Sequence, residues 1–411
     1  MKQIQADSKK IETILQDMLA LIKEHGGWID HNLVMTAQGG ALSLTLEGPV
    51  NAMDNIITMP EALLIPAEHI GLSVRDGQFV VDPDKTVITD VQAQLLDYII
   101  ALYNESDKKG WTETYCPFIA LKDYPAVLDK ILAARVHHEK FYETIDLWRR
   151  PKESEEELNA VICDAFLKTR VLGQKEGDNK QVSQKIMPIV DFLNHDNDGS
   201  SFNFTKEGKT RLQVASRQPV IESRECFALY NVMDALDSYL GYYFVDTRVN
   251  LVRSVPMTIN LGGNRTLQIE ARRTTPNKGK TPQHLNDLRR IMPIVTRADG
   301  SDVTVVSHMM ITLLPMPHAM RRILLAVIRG ALGEEKNARD VAAVTQKAER
   351  EIVTKNITYY KELAQVLDDL PAAAQDLPAV AMTRDLAETQ LTKLYKYLYD
   401  PAFWKQAADM T

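Results

Sequence analysis

The chain is poor in cysteine and has no long run of apolar residues. Its three cysteines, Cys116, Cys163 and Cys226, lie far apart and form no C-x-x-C pair. The sequence therefore predicts neither a disulfide framework nor a cysteine zinc site, and it favours a reducing compartment. No stretch approaches the roughly 20 apolar residues that span a membrane. We expect a cytoplasmic protein without a membrane partner, and a nuclear location is the alternative.

Basic residues are also fewer than acidic residues. The 411 residues contain 48 Lys and Arg against 55 Asp and Glu, which gives a net charge of -7, and no long basic block occurs. This balance argues against direct nucleic-acid binding and favours a protein or small-molecule partner. A hydrophobic share of 45% and a charged share of 25% are typical of a folded globular protein, and the length suits two or three domains.

Hydrophobic periodicity alternates between helical and strand-like spacing along the chain. Ser8 and the Gly26-Gly27 pair bound the first predicted helix, and Ser154 with Glu157 has the pattern of a capping box. The remaining predictions run in this order: strands at 32–66, helices at 89–172, a polar loop at 173–184, strands at 185–193, 211–220, 225–230 and 246–281, and mostly helices after 282.

The stretch "IMPIVDFLNHDND" places polar residues directly after an apolar run. In one interpretation it begins a calcium loop, because Asn194, Asp196, Asp198 and Gly199 fall at the first, third, fifth and sixth positions of an EF-hand. The twelfth position of that loop requires Glu, and this chain has Thr205.

A second interpretation takes Asp191 and His195 as metal ligands one helical turn apart, with Asp196 or Asp198 completing the site. The plainer alternative is a capped turn after a strand, in which Asp and Asn accept hydrogen bonds from nearby backbone amides. Motifs for dinucleotide binding, for phosphate loops and for the hydrolase nucleophile elbow are absent from the sequence.

Two motifs together suggest a family. "PIVDFLNH" resembles the P-x-x-D-x-x-N-H signature of SET-domain methyltransferases, and "ECFALYNVMDALDSYLGYYFVD" resembles their second motif, in the same order along the chain. Upstream, "KTRVL" resembles a segment of the Rubisco large-subunit methyltransferase-like branch. The order of predicted regions resembles that branch along nearly the whole chain.

This resemblance implies an α+β protein: a β-rich SET fold interrupted by a helical insert and followed by an all-α C-terminal domain. The implied domains are 1–88, an N-terminal helix and the SET N-lobe; 89–180, the helical insert; 181–281, the SET C-lobe; and 282–411, a helical substrate-binding domain. The implied protein is a monomer.

The resemblance also implies an S-adenosylmethionine (AdoMet) site and no metal. Asn194 and His195 would bind AdoMet, and Asp191 would brace their turn. Arg170 would pair with the cofactor's carboxylate, for which a guanidinium offers two parallel hydrogen bonds. Gly39-Gly40 stands where the family's first motif contributes to the cofactor pocket.

The implied reaction is methyl transfer to a lysine of a protein substrate bound between the SET domain and the C-terminal helices. Tyr230 would stand at the methyl-transfer pore and Tyr242 would line the lysine channel, where their ring faces favour a cationic amine. The family's glycines are replaced by Asn231 and Tyr243, and no acidic residue precedes Gly39-Gly40. The alternatives are therefore a catalytically silent protein-binding module and a histidine methyltransferase.

Overall fold

A computed structural model describes residues 3–135, 154–176, 181–205, 211–216, 218–272, 281–298, 300–313, 316, 318–333 and 336–399. Its Cα positions divide the chain into two compact units. Unit 1 comprises Met1–Thr114 and Lys152–Asn231, and unit 2 comprises Tyr115–Pro151 and Val232–Thr411. Each unit is therefore built from two separate segments of sequence. The predicted boundaries of the four domains stay a prediction.

The described residues mix helices and strands, as the α+β prediction requires. The helices, in chain order, are α1 Lys9–Glu24, α2 Asp90–Glu105, α3 Lys108–Tyr115, α4 Pro117–Ala120, α5 Pro125–Ala133, α6 Glu155–Lys168, α7 Ala235–Tyr242, α8 Ala319–Leu332, α9 Ala338–Asp368, α10 Ala372–Gln375 and α11 Pro378–Tyr399. Short 3-10 helices cover Glu61–Leu63, Ala67–His69, Val190–Phe192 and Gln283–Leu288.

The strands are short, with few exceptions. In chain order they are β1 Ile4–Ala6, β2 Trp28–Ile29, β3 Leu33–Gln38, β4 Ala41–Leu46, β5 Asn55–Pro60, β6 Ile65–Pro66, β7 Ser73–Arg75, β8 Gln78–Val80, β9 Val171–Glu176, β10 Gln181–Ile186, β11 Asn194–Thr205, β12 Arg211–Ala215, β13 Arg224–Glu225, β14 Phe227–Ala228, β15 Leu251–Arg253, β16 Met257–Gly262, β17 Arg265–Ile269, β18 Val295–Arg297, β19 Val303–Val306 and β20 Met310–Thr312.

Unit 1 contains the β-rich part of the fold. Its sheets have the strand orders β1-β3-β4-β13, β6-β10-β9, β14-β11-β12-β5-β2 and β7-β8. Helix α1 begins as the sequence predicts, because the Ser8 side chain accepts a hydrogen bond from the Ile11 amide at 3.1 Å. Its end is also confirmed, since Gly26 follows the C-cap residue with a φ of 83°. The apolar stripe of α1 is buried, from Ile11 to Ile22.

Two predictions around the polar segments are wrong. Residues 173–184 are not simply a loop, because β9 and β10 pair there as an antiparallel hairpin with Ile186 opposite Val171. Some side chains of β10, such as Val182, are exposed to solvent. The strand therefore forms without a regular pattern of buried apolar residues. The predicted strand at 185–193 ends at Ile186, because Pro188 and Ile189, which has a φ of 66°, lead into a 3-10 helix.

Unit 2 contains the helical C-terminal region. A sheet of order β16-β17-β19-β18 and the pair β15-β20 precede helices α8 to α11. Helix α9 begins at Asn337, whose side chain accepts a hydrogen bond from the Asp340 amide at 2.9 Å, and buries one apolar stripe along its 31 residues. None of the helices in the described part of the chain is long and apolar enough to cross a membrane.

A fully buried charge cluster ties the segments of unit 2 together. Asp234 and Asp237 form the capping box of α7. Arg135 Nη2 lies 3.0 Å from both Asp234 carboxylate oxygens, and its Nε lies 2.9 Å from Asp237 Oδ1. Arg253 Nη2 lies 2.9 Å from Asp237 Oδ2, and Gln390 Nε2 donates to Asp234 Oδ2 at 3.0 Å. The four charged residues at its centre are therefore two cations paired with two anions.

Candidate functional site

The two sequence motifs meet in unit 1. Strand β14 pairs in parallel with the beginning of β11, with Asn194 opposite Phe227 and His195 opposite Ala228. On one side of this pairing, Asn194 Nδ2 donates a hydrogen bond to Glu225 Oε1 at 2.7 Å. On the other side, the backbone amide of Tyr230, 35 residues along the chain, donates to His195 Nδ1 at 3.2 Å. The polar residues after "PIVDFL" are thus the first residues of a strand and not a capped turn.

Gly199 makes this pairing possible. The register of β11 against β14 shifts between His195 and Ser200, so the intervening residues bulge while both ends stay opposite Ala228. A Cβ atom at Gly199 would lie 2.5 Å from the backbone carbonyl carbon of Ala228. Only glycine allows the two strands to approach so closely.

Tyr230 is held at both its backbone and its side chain. Its hydroxyl donates a hydrogen bond to the Leu193 carbonyl oxygen, and its ring centre lies 5.2 Å from that of His195. Because His195 Nδ1 accepts from the Tyr230 amide, the neutral imidazole carries its proton on Nε2. The half-buried Tyr230 side chain therefore has a defined position beside His195.

Arg170 follows α6 and lies half-buried in the same unit. Its Nη1 donates to the Asp191 backbone carbonyl at 3.3 Å, and its guanidinium carbon lies 5.5 Å and 5.6 Å from the ring centres of Tyr103 and Phe166. No carboxylate in the described ranges pairs with Arg170, and its buried Nε has no hydrogen-bond partner there. Burial lowers the pKa of Arg170, and the Tyr230 hydroxyl opposes that shift. Arg170 is thus a cation without a neutralising group in this part of the chain.

Asp191 does not neutralise Arg170, although the two residues touch. The carboxyl of Asp191 is buried and accepts a hydrogen bond at Oδ2 from the Tyr103 hydroxyl of α2. Its Oδ1 has no hydrogen-bond partner among the residues that the structure describes. Burial raises the pKa of the Asp191 carboxyl well above its usual value and so favours the neutral acid.

Gly39 and Gly40 form the turn between β3 and β4. Both have positive φ values, 57° and 78°, and Gln38 pairs with Ala41, which is the arrangement of a two-residue type I′ turn. The Gly39 amide is occupied, because it donates to Asp7 Oδ2 at 2.8 Å. The Gly40 carbonyl accepts a hydrogen bond from Lys108 Nζ at 2.6 Å.

Lys108 is a residue that the sequence did not single out. It begins α3, is only 6% exposed, and its Nζ lies 5.9 Å from the ring centre of Trp111. Burial, together with the neighbouring charge of Arg170, lowers the pKa of Lys108 to about 8. We call Lys108 and Arg170 the cationic cluster. The sequence offers no signal that separates Lys108 from Lys109, which is more exposed and pairs with Glu113 at 2.8 Å.

Unit 1 holds all but one of the predicted site residues. Contacts connect Gly40 to the cationic cluster, Arg170 to Asp191, and His195 to Tyr230. Tyr242 belongs to unit 2, where it ends α7 and its ring centre lies 6.5 Å from that of Phe244. The roles assigned to these residues stay predictions.

Tyr243 adopts the conformation that glycine favours. As the C-cap of α7 it has φ 62° and ψ 33°, and its side chain is fully buried. A left-handed backbone is uncommon for a bulky residue and costs about 1 kcal/mol. Tyr243 therefore combines a left-handed backbone with a buried aromatic ring.

The calcium-loop interpretation is wrong, because Asn194–Thr205 is a single strand, β11. Asp196 instead accepts a hydrogen bond at Oδ1 from the Asp198 amide at 2.7 Å, a local use of the side chain. Asp191 and His195 do not share a helical turn, since one lies in a 3-10 helix and the other in β11. In the described ranges no three His, Cys, Asp or Glu residues group to hold a metal ion.

No family model and no curated protein matches the chain. Among solved structures it is similar to the SET domain of LSMT bound to lysine and AdoHcy, with 10% identity, a TM-score of 0.41, and coverage of 97% of this chain and 92% of that chain. Rubisco LSMT bound to AdoMet is 10% identical with a TM-score of 0.39, and coverage is 97% and 93%. Rubisco LSMT bound to sinefungin and monomethyllysine is 11% identical with a TM-score of 0.39, and coverage is 98% and 93%.

Proposed function

We propose that the chain is an AdoMet-dependent protein-lysine N-methyltransferase with a SET-type site in unit 1. The observation that carries the proposal is the meeting of the two motifs, in which Asn194 and His195 pair with the strand that leads to Tyr230. Neither motif alone predicts this contact. Together they place an amide, an imidazole and a phenol in one cluster, next to an arginine without a carboxylate partner in the described ranges.

The residues fit the cofactor. AdoMet has a carboxylate, for which the Arg170 guanidinium offers a planar pair of donors, and the buried Arg170 Nε has no hydrogen-bond partner among described residues. Asn194 is exposed and reachable, although its amide also donates to Glu225. Arg170, Asn194 and His195 would hold the cofactor, and its sulfonium would supply an electrophilic methyl group.

The chain's own part in the reaction is alignment. Methyl transfer to an amine is an in-line displacement, so a fixed geometry supplies much of the rate enhancement. The Tyr230 hydroxyl donates a hydrogen bond to the Leu193 carbonyl oxygen, which fixes the phenol where it would steer the methyl group. Aromatic ring faces would attract the substrate as an ammonium when it binds. Exclusion of water would then lower the pKa of that amine and favour the neutral, nucleophilic form. The assignment of Tyr242 to the lysine channel stays a prediction, because Tyr242 belongs to unit 2.

One observation favours the second candidate, a silent module that binds a protein partner. Tyr243 fills with a buried aromatic ring the position at which the family has glycine. If that ring occupies the space of a substrate side chain, the motif cluster would persist without turnover. A histidine target is the third candidate. Leu172, two residues after Arg170, would give the site an apolar surface that suits a neutral lysine amine.

Labelled methyl transfer tests the proposal. Purified protein is incubated with AdoMet carrying a tritiated methyl group and a heat-treated extract of its own cells as the substrate pool. We expect label in methyllysine after acid hydrolysis, and at least a tenfold loss with Tyr230→Phe. The control Tyr98→Phe removes the hydroxyl of an α2 tyrosine that accepts from Gln94 and should keep full activity. Label in methylhistidine would select the third candidate, and no label at all would select the second.

A further inference from the structure

We infer that Lys108 is a second ligand for the cofactor's carboxylate, acting beside Arg170 within the cationic cluster. This inference rests on the proposed AdoMet site and adds to it a residue outside the two motifs. It also gives a physical role to the Gly39-Gly40 turn, because the Gly40 carbonyl accepts a hydrogen bond from the Lys108 ammonium.

The geometry of Lys108 suits a ligand-binding amine. Its Nζ makes one hydrogen bond, to the Gly40 carbonyl oxygen at 2.6 Å, among the residues that the structure describes. An ammonium has three donors, so two remain for a ligand. The Gly39-Gly40 turn packs closely against Ser106, since a Cβ atom at Gly40 would lie only 3.1 Å from the Ser106 carbonyl oxygen. This packing brings the Gly40 carbonyl within reach of the Lys108 amine. Trp111 covers the amine with its ring face.

The charges of the cluster call for an anion. The charge of Arg170 is close enough to lower the pKa of Lys108, and no described carboxylate pairs with either of them. Burial raises the pKa of Asp191, whose backbone carbonyl touches Arg170, and so disfavours the carboxylate form that could neutralise the guanidinium. Two like charges, one buried and one half-buried, are unfavourable without an acid partner. A carboxylate from outside would neutralise them, with the guanidinium as a fork and the ammonium as a point charge.

The lowered pKa of Lys108 supports the same conclusion. At about 8 it leaves most of the amine protonated at pH 7, and a bound anion would raise it again. The cationic cluster is therefore poised to take up an anion at neutral pH.

Titration calorimetry with two ligands tests the inference. AdoHcy carries the amino acid part of the cofactor, whereas 5′-methylthioadenosine has the same thioether nucleoside without it. For Lys108→Met we expect AdoHcy to bind at least tenfold more weakly and 5′-methylthioadenosine to bind within twofold of the unaltered protein. Lys108→Arg should recover part of the AdoHcy affinity, because it keeps the charge.

The matched control is Lys109→Met, which removes the same charge from the next residue of α3 and should change neither affinity. Unchanged AdoHcy binding by Lys108→Met would overturn the inference and leave the proposed function standing. An equal loss of both ligands in Lys108→Met and Lys108→Arg would mean that the lysine only supports the fold, which also overturns it. Failure of the unaltered protein to bind AdoHcy would overturn the proposed function together with the inference.

Discussion

Each unit of the molecule contains a cluster with buried or half-buried cations, and the two clusters differ in how those cations are neutralised. In unit 2, Arg135 and Arg253 meet Asp234 and Asp237 at 2.9 to 3.0 Å. In unit 1, Arg170 and Lys108 meet backbone carbonyls and aromatic rings, and no described carboxylate pairs with them. A cluster that is neutral within itself serves stability, whereas a cluster with excess charge is suited to a ligand.

The difference has an energetic consequence. Removing one partner of a buried ion pair leaves the other charge uncompensated and costs about 3–5 kcal/mol. Removing a cation that has no acid partner relieves the cost of burying it. Substitutions in the two clusters should therefore change stability with opposite sign.

The largest expected effect is loss of stability on Asp234→Asn. Asparagine keeps the shape and the N-cap of α7 but removes the charge that Arg135 contacts at 3.0 Å. We expect the free energy of unfolding to fall by about 3–5 kcal/mol, measured by urea denaturation. Asp287→Asn is the control, because Asp287 pairs with Arg322 at the surface, and it should cost less than about 1 kcal/mol. Equal losses for the two variants would contradict the comparison.

The reverse behaviour is expected of Arg170→Met. The variant keeps a long apolar side chain against Tyr103 and Phe166 and removes the cation. Its midpoint of thermal unfolding should stay the same or rise, while AdoHcy affinity falls by roughly 10- to 100-fold, as the loss of a charged hydrogen bond implies. A destabilised variant with unchanged affinity would assign Arg170 to the fold. Lys168→Met is the control at an exposed site, where Lys168 pairs with Asp164.

Affinity should depend on pH through Lys108. Its pKa of about 8 in the folded protein lies below the usual value of 10.5, so the amine loses its proton as pH rises through 8. AdoHcy binding by the unaltered protein should weaken above pH 8 relative to Lys108→Met, by at most about tenfold per pH unit for one proton. The ligand's own amino group titrates equally in both titrations and cancels in the ratio. A ratio that is constant from pH 7 to 9.5 would contradict the role of Lys108.

A second pH dependence, in stability, is expected of Asp191→Asn. The folded-state pKa of Asp191 is raised above 3.8, so its contribution to stability is complete below pH 3.8 and is lost as pH rises through the folded-state pKa. Asparagine does not titrate, and the variant should therefore gain stability relative to the unaltered protein as pH rises from 4 to 7.5. The gain should be about 1.4 kcal/mol for each unit of the shift. A difference in unfolding midpoints that is the same at all pH values would show that Asp191 is ionised in the folded state.

Local signals predicted local structure well. Helix α1 was predictable because its cap, its apolar stripe and its terminal glycines all lie within twenty residues. The hairpin of β9 and β10 was missed, because its residues are polar and their pattern is typical of a loop. They form strands through backbone hydrogen bonds, which the side chains do not reveal. The end of strand β10 at Ile186 was missed too, since the left-handed backbone of Ile189 is a tertiary feature and not a residue preference.

The site was predictable only where a motif named it. The contact between His195 and Tyr230 joins residues far apart in the chain, and no periodicity encodes it. The resemblance assigned both residues to the site but did not predict their contact. Lys108 lay outside both motifs. Adjacent lysines in α3 look alike in sequence, and only the packing of Gly40 and Trp111 around one of them distinguishes the two.

The central claim is that unit 1 binds AdoMet through Asn194, His195 and the cationic cluster. The most direct measurement is calorimetric titration of the purified protein with AdoMet and with AdoHcy, beside the variant Asn194→Ala. We expect saturable one-to-one binding of both ligands by the unaltered protein and weaker binding by the variant. Absence of binding by the unaltered protein, with its folding confirmed by circular dichroism, would contradict it.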